Sequence, residues 1–417
     1  MYTNENSNSN KLKVVQINTV SGVGSTGRNV LELAESIKHH GIETLIAYGY
    51  GTTSYENSYK IVTFLGSKIH NLLSRLTGLQ GYFSYFATKK FTKILSRFSP
   101  DLVHINNLHG NYINLKVLYS YLSKNNIPIV YTLHDCWAFT GKCAHYIDVS
   151  CNKWQTECSH CPKVHDYPKS LFFDRTSKIF NDKKKFYFVN NITFIGVSKW
   201  IMNEAQKSPL LGDKITYVYN WIDLSIFKYD YDIRLKTKYN IPENKIVILG
   251  VSGKWSINKG IEKWNDLSDV IDDRYTLVLV GNMDRGIKLS SKIINIKYTK
   301  NQIELAKLYS AADIYLSLSK AESFGKTIAE SLACGTPVIV KDVSALPELV
   351  GDRCGETIKS ESVEELLKAI EKISKKGKGF YREYCVNYAT ANFSRETSIN
   401  RYYNIYISSI EGMKNQP

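Results

Sequence analysis

An α/β architecture of two domains, each a parallel sheet with crossover helices, is what the sequence predicts, on three observations. The chain has 417 residues, more than one domain of about 100–200 residues takes up. Short apolar runs alternate with amphipathic helical stretches, the pattern of strand–helix–strand units. That alternation runs through two successive series, which implies two sheets rather than one long one.

The first series opens with a strand over Lys13–Val20 and a glycine-bearing loop. A helix follows with Val30, Leu33, Ala34 and Ile37 on one face, and Gly41 stands where a helix stop belongs. Further strands are expected at Thr44–Tyr48, Tyr59–Phe64, Leu102–Ile105, Ile129–Leu133 and Ile192–Val197. The second series begins near residue 245, with strands at Ile246–Val251, Thr276–Val280, Ile293–Tyr298, Ile314–Leu318 and Val338–Val340. The boundary is set near Ile222, giving domains of residues 1–222 and 223–394 and a closing helix in 395–417. On that helix Ile399, Tyr402, Tyr403, Tyr406 and Ile410 share one face.

Hydrophobic residues make up 43% and charged residues 22%, an ordinary globular balance. No run approaches the roughly 18 apolar residues of a membrane helix. Met1–Asn10 lacks the apolar core of a secretory signal, so a cytoplasmic location is expected. The net charge of +15 favours an anionic partner: nucleic acid, a phosphorylated ligand or an anionic membrane. No nucleic-acid module is recognised and the cations are spread along the chain, so a basic nucleic-acid-binding protein is the weaker reading.

The most informative segment is Ala321-Glu322-Ser323-Phe324-Gly325-Lys326-Thr327-Ile328-Ala329-Glu330. A strand runs into a loop, and a helix starts near Phe324. The N–H groups at such a start, together with the helix dipole, favour an anion, and a diphosphate fits that position. Glu322 and Glu330 are eight residues apart, roughly 12 Å along a helix. That is about the reach from the sugar to the ribose of a nucleotide sugar. From spacing alone, two solvated surface glutamates explain it equally well.

Glu-x7-Glu in this setting resembles the signature of glycosyltransferase family 4, whose fold is GT-B: two Rossmann-like α/β/α domains with an inter-domain active-site cleft. The resemblance implies that Glu322 contacts the donor sugar, Glu330 the ribose, and the Phe324–Thr327 backbone the diphosphate and sugar, with Ser323 also in the donor site. A second element, Gly253-Lys254-Trp255-Ser256-Ile257-Asn258-Lys259-Gly260, is similar to the family's Gly-Arg-x4-Lys-Gly. Lys259 matches; Lys254 replaces an arginine, so a bidentate fork becomes a point charge. Asn220-Trp221-Ile222-Asp223 with Phe227 resembles the family's inter-domain segment, with Trp221 in place of glycine. The closing helix resembles one that returns to the first domain in this fold. The whole resemblance covers about Lys13–Ile410.

In the first domain Gly22-Val23-Gly24-Ser25-Thr26-Gly27 is formally a dinucleotide fingerprint. The second strand, however, ends Tyr48-Gly49-Tyr50 without the acid that would hold a ribose. The resemblance instead gives Gly22 and Gly24 to donor binding. It sets His134 beside the donor sugar, and with Glu322 this forms the expected catalytic pair. Asp135 and His109 are expected on the acceptor side. The run Cys143-x7-Cys151-x6-Cys158-x2-Cys161 ends in a metal-ligand spacing, and four thiolates suit a structural zinc; free thiols are the alternative. Together with His134, Asp135, Trp137, Thr140 and Gly141, this run resembles a family 4 subgroup of capsule or colanic-acid-type polysaccharide synthesis.

Leu65–Phe98 combines apolar positions with Lys68, Arg75, Lys89, Lys90, Lys93 and Arg97. It suits either an anionic bilayer on the inner face of the cell membrane or an ordinary helix layer with a solvated face. The resemblance thus implies a retaining transfer from a nucleoside-diphosphate sugar to a saccharide, in this reading lipid-linked. It implies no catalytic divalent metal or other cofactor. A GT-B epimerase or phosphorylase-like enzyme is the nearest alternative.

Overall fold

The computed structural model describes residues 11–360 and 362–414; Met1–Asn10 lies outside the described residues. The chain divides into two units. The first takes the described residues to Val197, Ile201–Val218 and those from Ile399 onward; the second takes Ser198–Trp200 and Tyr219–Ser398.

Unit one is built on seven parallel strands: β1 (Lys13–Val20), β2 (Glu43–Tyr50), β3 (Ser58–Lys60), β4 (Leu102–Ile105), β5 (Ile129–Leu133), β6 (Ile192–Gly196) and β7 (Ile215–Tyr217), in the order β3-β2-β1-β4-β5-β6-β7. Its helices are α1 (Gly24–Ile37), α2 (Phe64–Thr77), α3 (Tyr85–Phe98), α4 (Leu115–Lys124), α5 (Thr176–Phe188) and α6 (Lys199–Gln206). The near-continuous apolar strands, such as fully buried Leu102–Ile105 and Ile129–Leu133, are what a sheet covered on both faces requires. Helix α1 buries Val30, Leu33, Ala34 and Ile37, as its period predicts.

Unit two carries α7 (Arg234–Lys238) and a six-stranded parallel sheet. The strands are β8 (Ile246–Trp255), β9 (Tyr275–Met283), β10 (Ile293–Ile296), β11 (Ile314–Ser317), β12 (Val338–Lys341) and β13 (Gly355–Ile358), ordered β10-β9-β8-β11-β12-β13. Its remaining helices are α8 (Ile261–Val270), α9 (Gln302–Ala311), α10 (Lys326–Ala333), α11 (Val363–Lys376) and α12 (Lys378–Phe393). The last helix, α13 (Arg395–Lys414), belongs to unit one from Ile399 onward.

Three readings need correction. The expected strand Tyr59–Phe64 is only Ser58–Lys60, because the Thr63 hydroxyl accepts the Gly66 N–H at 3.1 Å and starts α2 at Phe64. Strand β8 does not stop at Val251. After an irregularity it continues to pair Lys254 with Asn282 and Trp255 with Met283, so the lysine segment leaves a strand end rather than a loop. Edge strands β7 (Ile-Thr-Tyr) and β13 (Gly-Glu-Thr-Ile) have no expected counterpart, because being only partly buried they carry no continuous apolar run.

Helix α13 completes the first sheet. His104 on β4 is buried between Tyr406 Oη (2.6 Å from Nδ1) and Thr132 Oγ1 (2.8 Å from Nε2), and Tyr402 Oη reaches Thr132 at 3.1 Å. Burial, with His134 nearby, holds the His104 imidazole down at about 3. His70 on α2, bonded to Ser84 Oγ at 2.8 Å, is held at about 3 by burial alone. Unfolded, both titrate near pH 6.5. Below that pH the unfolded chain therefore binds protons that the native one refuses, and stability falls with acid until about pH 3. Each histidine should cost about 1.4 kcal/mol per pH unit across this window. Urea midpoints of unfolding at pH 7 and pH 5 should differ clearly, and His70→Asn should lessen the difference. Equal midpoints at both values would contradict this account.

Candidate active site

Both sheets reverse their winding once. β1 lies between β2 and β4, and β8 lies between β9 and β11. At such a point the loops leaving the carboxyl ends of neighbouring strands diverge to opposite faces and leave a crevice for a ligand. Gly22, Gly24 and His109 in unit one, and Lys259 and Glu322 in unit two, follow the strands at these points.

In unit two, the loop after β8 turns at Gly260, whose φ is +73°. A Cβ there would lie 2.3 Å from the Leu318 carbonyl oxygen, so only glycine lets this loop approach the one leaving β11. Lys320 N–H bonds the Asn258 carbonyl at 2.9 Å and ties the two together. The contact brings Lys259 Nζ onto Glu322 Oε1 as an ion pair. Both side chains remain partly exposed, so the pair contributes at most about 1 kcal/mol to stability. Its value lies in position: an ammonium and a carboxylate stand side by side at the switch point.

Helix α10 begins just beyond. Its N-cap is Gly325 at φ +100°, with no side chain to cap the helix, and its first turn contains no acid. The first-turn N–H groups and the dipole are thus open to an anion. Phe324 is buried against the rings of Tyr219 and Phe393, with centroids 5.9 and 5.5 Å away, so Ser323–Gly325 is anchored by a core side chain. Thr327 accepts the Tyr315 hydroxyl at 2.7 Å. Glu330 is buried, with Oε2 accepting from Tyr309 Oη at 3.1 Å. Lys326 sits next to Gly325 on the first turn and is half-buried. Lys254 is different: it is largely exposed and paired with Asp284 at 2.8 Å.

In unit one, Gly22 and Gly24 form the turn between β1 and α1, with Gly22 N–H bonded to the Gly27 carbonyl at 3.1 Å. The end of β2, where a dinucleotide would need an acid, is filled instead. Tyr112 packs on Gly49, and the Tyr50 hydroxyl bonds the Gly110 carbonyl.

His134 follows β5. Its Nε2 donates to Asn106 Oδ1 at 2.9 Å, leaving Nδ1 as an acceptor. Burial lowers its pKa to about 4, against the pull of Asp135, so it is a neutral imidazole above that pH. His109 Nε2 donates to Asp135 Oδ2 at 2.8 Å, and its Nδ1 faces Tyr167 Oη at 2.9 Å. Asp135 Oδ1 accepts the Trp137 N–H at 2.8 Å. Burial works to raise the Asp135 carboxyl, but His109 and the Trp137 N–H outweigh it and hold the group at about 2. Tyr167 lies outside every motif, 32 residues beyond Asp135 in the chain, so no spacing could have pointed to it.

Cys143, Cys151, Cys158 and Cys161 line one small cavity, and none of them is in a disulfide. Gly141 N–H bonds Cys158 Sγ at 3.1 Å. A hydrogen bond with Cys143 holds Cys161 down at about 7 despite burial and pushes Cys143 up. Among the described residues, however, no group of three His, Cys, Asp or Glu side chains is placed to hold a metal ion.

Two family models match: Glycosyltransferase Family 4 over residues 26–226 and Glycosyl transferases group 1 over residues 233–392. Among curated relatives, the chain is 22% identical over 379 residues to the putative colanic acid biosynthesis glycosyl transferase WcaC of Escherichia coli (strain K12), covering 85% of this chain and 89% of the relative. Among solved structures it is similar to HepE of Anabaena in complex with UDP and glucose. The TM-score is 0.69 at 15% identity, over 95% of this chain and 100% of the other. A glycosyltransferase from Rickettsia africae matches with TM-score 0.68 at 18% identity, over 98% and 100%. At such identities the structural likeness speaks to the fold, two parallel-sheet α/β domains as in GT-B enzymes. The two matched models, one over each series of strands, carry the assignment: the chain belongs to the family 4 glycosyltransferases, with a group 1 glycosyl transferase domain as its second half.

Proposed function

We propose that the protein transfers a sugar, with retention, from a nucleoside-diphosphate sugar to a hydroxyl of a lipid-linked saccharide in bacterial surface polysaccharide synthesis, at the cytoplasmic face of the membrane. The observation that carries this reading is the Lys259–Glu322 pair beside the glycine-started helix α10. The helix start and Lys259 suit the two phosphates, and Glu322 suits the sugar hydroxyls. Glu330, already fixed by Tyr309, suits the ribose diol. HepE of Anabaena, solved with UDP and glucose, supports a nucleotide-sugar donor. WcaC, named for colanic acid synthesis, and a Klebsiella pneumoniae protein of a cps region, 24% identical over 316 residues, support the polysaccharide setting.

In this reading the bond from the anomeric carbon to the phosphate oxygen breaks as the acceptor oxygen bonds to the same face. The acceptor proton passes to the departing phosphate. Lys259, the helix start and Lys254, once released from Asp284, take up the charge that develops on the diphosphate, and this lowers the barrier. Gly22 and Gly24 leave room for the donor phosphates. The neutral His134 accepts a donor hydroxyl hydrogen bond through Nδ1, and the Asp135–His109–Tyr167 chain orients the acceptor.

Glu322→Gln should lower kcat/KM by about 10²–10³-fold, the scale of a lost transition-state contact. Its thermal stability should hardly change, because the pair it breaks is partly exposed. Unchanged turnover would remove Glu322 from the site. Across a panel of nucleoside diphosphates and their sugars, the true donor at 100 times its Kd should add about 2.7 kcal/mol of stability, read as a rise in Tm. No rise with any member would overturn the donor reading. NMR of the product should show the donor's anomeric configuration; inversion would overturn the stereochemical part. Turnover of the nucleotide sugar to an isomer without any acceptor would favour the epimerase alternative.

A further inference from the structure

Unit one encloses a small cavity between the last turns of α2, the residues that follow them, and the 167–170 loop. Lys142 fixes that loop. Its Nζ donates to the carbonyls of Val164 at 2.7 Å, Lys163 at 3.0 Å and Asp166 at 3.2 Å. Ser170 N–H closes back on the Val164 carbonyl at 2.9 Å, and Leu171 N–H bonds the Arg75 carbonyl at 2.8 Å. The loop is thereby seated on the end of α2. Gly78, at φ +74°, permits the seat, since a Cβ on it would lie 2.4 Å from the Phe173 carbonyl oxygen.

The cavity has a volume of about 60 Å³, room for roughly four waters. That suits a carboxylate or a phosphate and excludes a sugar ring. Its wall carries polar groups that the protein does not use. Gln80 is 5% exposed. Its Oε1 accepts Trp137 Nε1 at 2.9 Å, and its buried Nε2 has no partner among the described residues. Asn111 donates through Nδ2 to Asn71 Oδ1 at 3.3 Å, and its own buried Oδ1 is likewise unmet. Buried polar atoms are rarely left so unless a ligand or water meets them.

Charge decides between water and an anion. Arg75, Lys142 and Lys169 line the cavity, and no Asp or Glu does. Lys142 spends its donors on carbonyls rather than on a carboxylate. Water would satisfy Gln80 and Asn111 but leave three like charges around one cavity. An anion answers the charges and the Gln80 donor together, and a hydroxyl beside it answers Asn111.

The cavity also adjoins the residues proposed to orient the acceptor. Tyr167 is shared: it lines the cavity, and its hydroxyl meets His109 Nδ1 at 2.9 Å. Gln80 holds the Trp137 indole, and the Trp137 N–H holds Asp135 at 2.8 Å. We propose that this cavity takes the negatively charged substituent, carboxylate or phosphate, of an acidic acceptor sugar, with Arg75, Lys169 and Gln80 selecting it. The inference rests on the reading of His109 and Asp135 as the acceptor side and adds the class of acceptor. A neutral hexose leaves the cations and the Gln80 donor unmet, and a polar pocket rejects an analogue that lacks its partner.

Calorimetry on the full chain with glucuronate, glucose 6-phosphate, glucose and inorganic phosphate tests this. Wild type should bind one of the acidic sugars at least about tenfold more tightly than glucose, and more tightly than inorganic phosphate. The tighter of the two acids tells carboxylate from phosphate. Gln80→Glu keeps an acceptor for Trp137 Nε1 and puts a charge of the wrong sign in place of the free donor. It should weaken the acidic sugar by about tenfold or more. Arg75→Gln with Lys169→Gln, which spares Lys142 and the main-chain bonds, should do the same. Both variants should keep the wild-type circular dichroism and the wild-type Tm rise with nucleotide. A wild type that prefers the acidic sugars while no nucleotide raises its Tm supports this proposal and sinks the donor reading alone. Glucose held as tightly as the acids overturns the proposal. So does inorganic phosphate held as tightly as glucose 6-phosphate, which makes the cavity a site for an adventitious ion only. A preference that survives either folded variant, or no binding of either acidic sugar at about 10 mM, well above a millimolar Kd, overturns it too.

Discussion

The reversal of strand order in each parallel sheet is the constraint on which the rest depends. Where crossovers on one side of a strand lead to one face and those on the other side lead to the opposite face, the loops at the carboxyl ends part. No other edge of such a sheet offers a crevice lined by main chain on two sides. In unit two, β8 and β11 flank that point, and the Lys259 and Glu322 loops leave from them. In unit one the point lies between β1 and β4, where the Gly22 turn and the Asn106–His109 segment begin. Residues far apart in the chain become neighbours there without any adjustment of the sheets.

Electrostatics then distinguishes the two sites. Unit two gathers mobile charge: Lys259, Glu322 and Lys254 are partly or largely exposed and exchange partners cheaply. Unit one gathers fixed, buried polarity: His104, His134 and Asp135 are held in one protonation state by burial and by named hydrogen bonds. For the proposed reaction, the first suits a doubly charged leaving group that arrives and departs. The second suits the orientation of hydroxyls whose charge changes little.

The legible part of this molecule was what periodicity and short motifs encode. Strands such as Lys13–Val20 and Ile129–Leu133 fall where alternating apolar runs put them, and α1 turns its expected face inward. The Glu322–Glu330 segment and the Lys259-Gly260 turn could be found because their residues are close in sequence. What lies across the chain could not. Tyr167 beside His109, Tyr309 beneath Glu330 and Asp284 on Lys254 are meetings made by folding, between residues 21 to 58 positions apart. The inward face of α2 was hidden for a related reason. A helical period identifies an apolar stripe but not which way it faces, and the buried residues of α2 are Ser67, His70 and Ser74, bonded to Phe64, Ser84 and Leu79 in turn.

The return of α13 has a consequence for biogenesis. His104 and Thr132 lie in β4 and β5, yet their partners Tyr406 and Tyr402 come 302 and 270 residues later in the chain. Until the tail emerges, the nascent first sheet holds a buried imidazole short of a hydrogen bond, at a penalty of about 1–3 kcal/mol. Autonomous closure of the leading half on the ribosome, the usual order for multidomain chains, is thereby delayed. Helix α13 thus closes the first sheet only after the whole of unit two has been made.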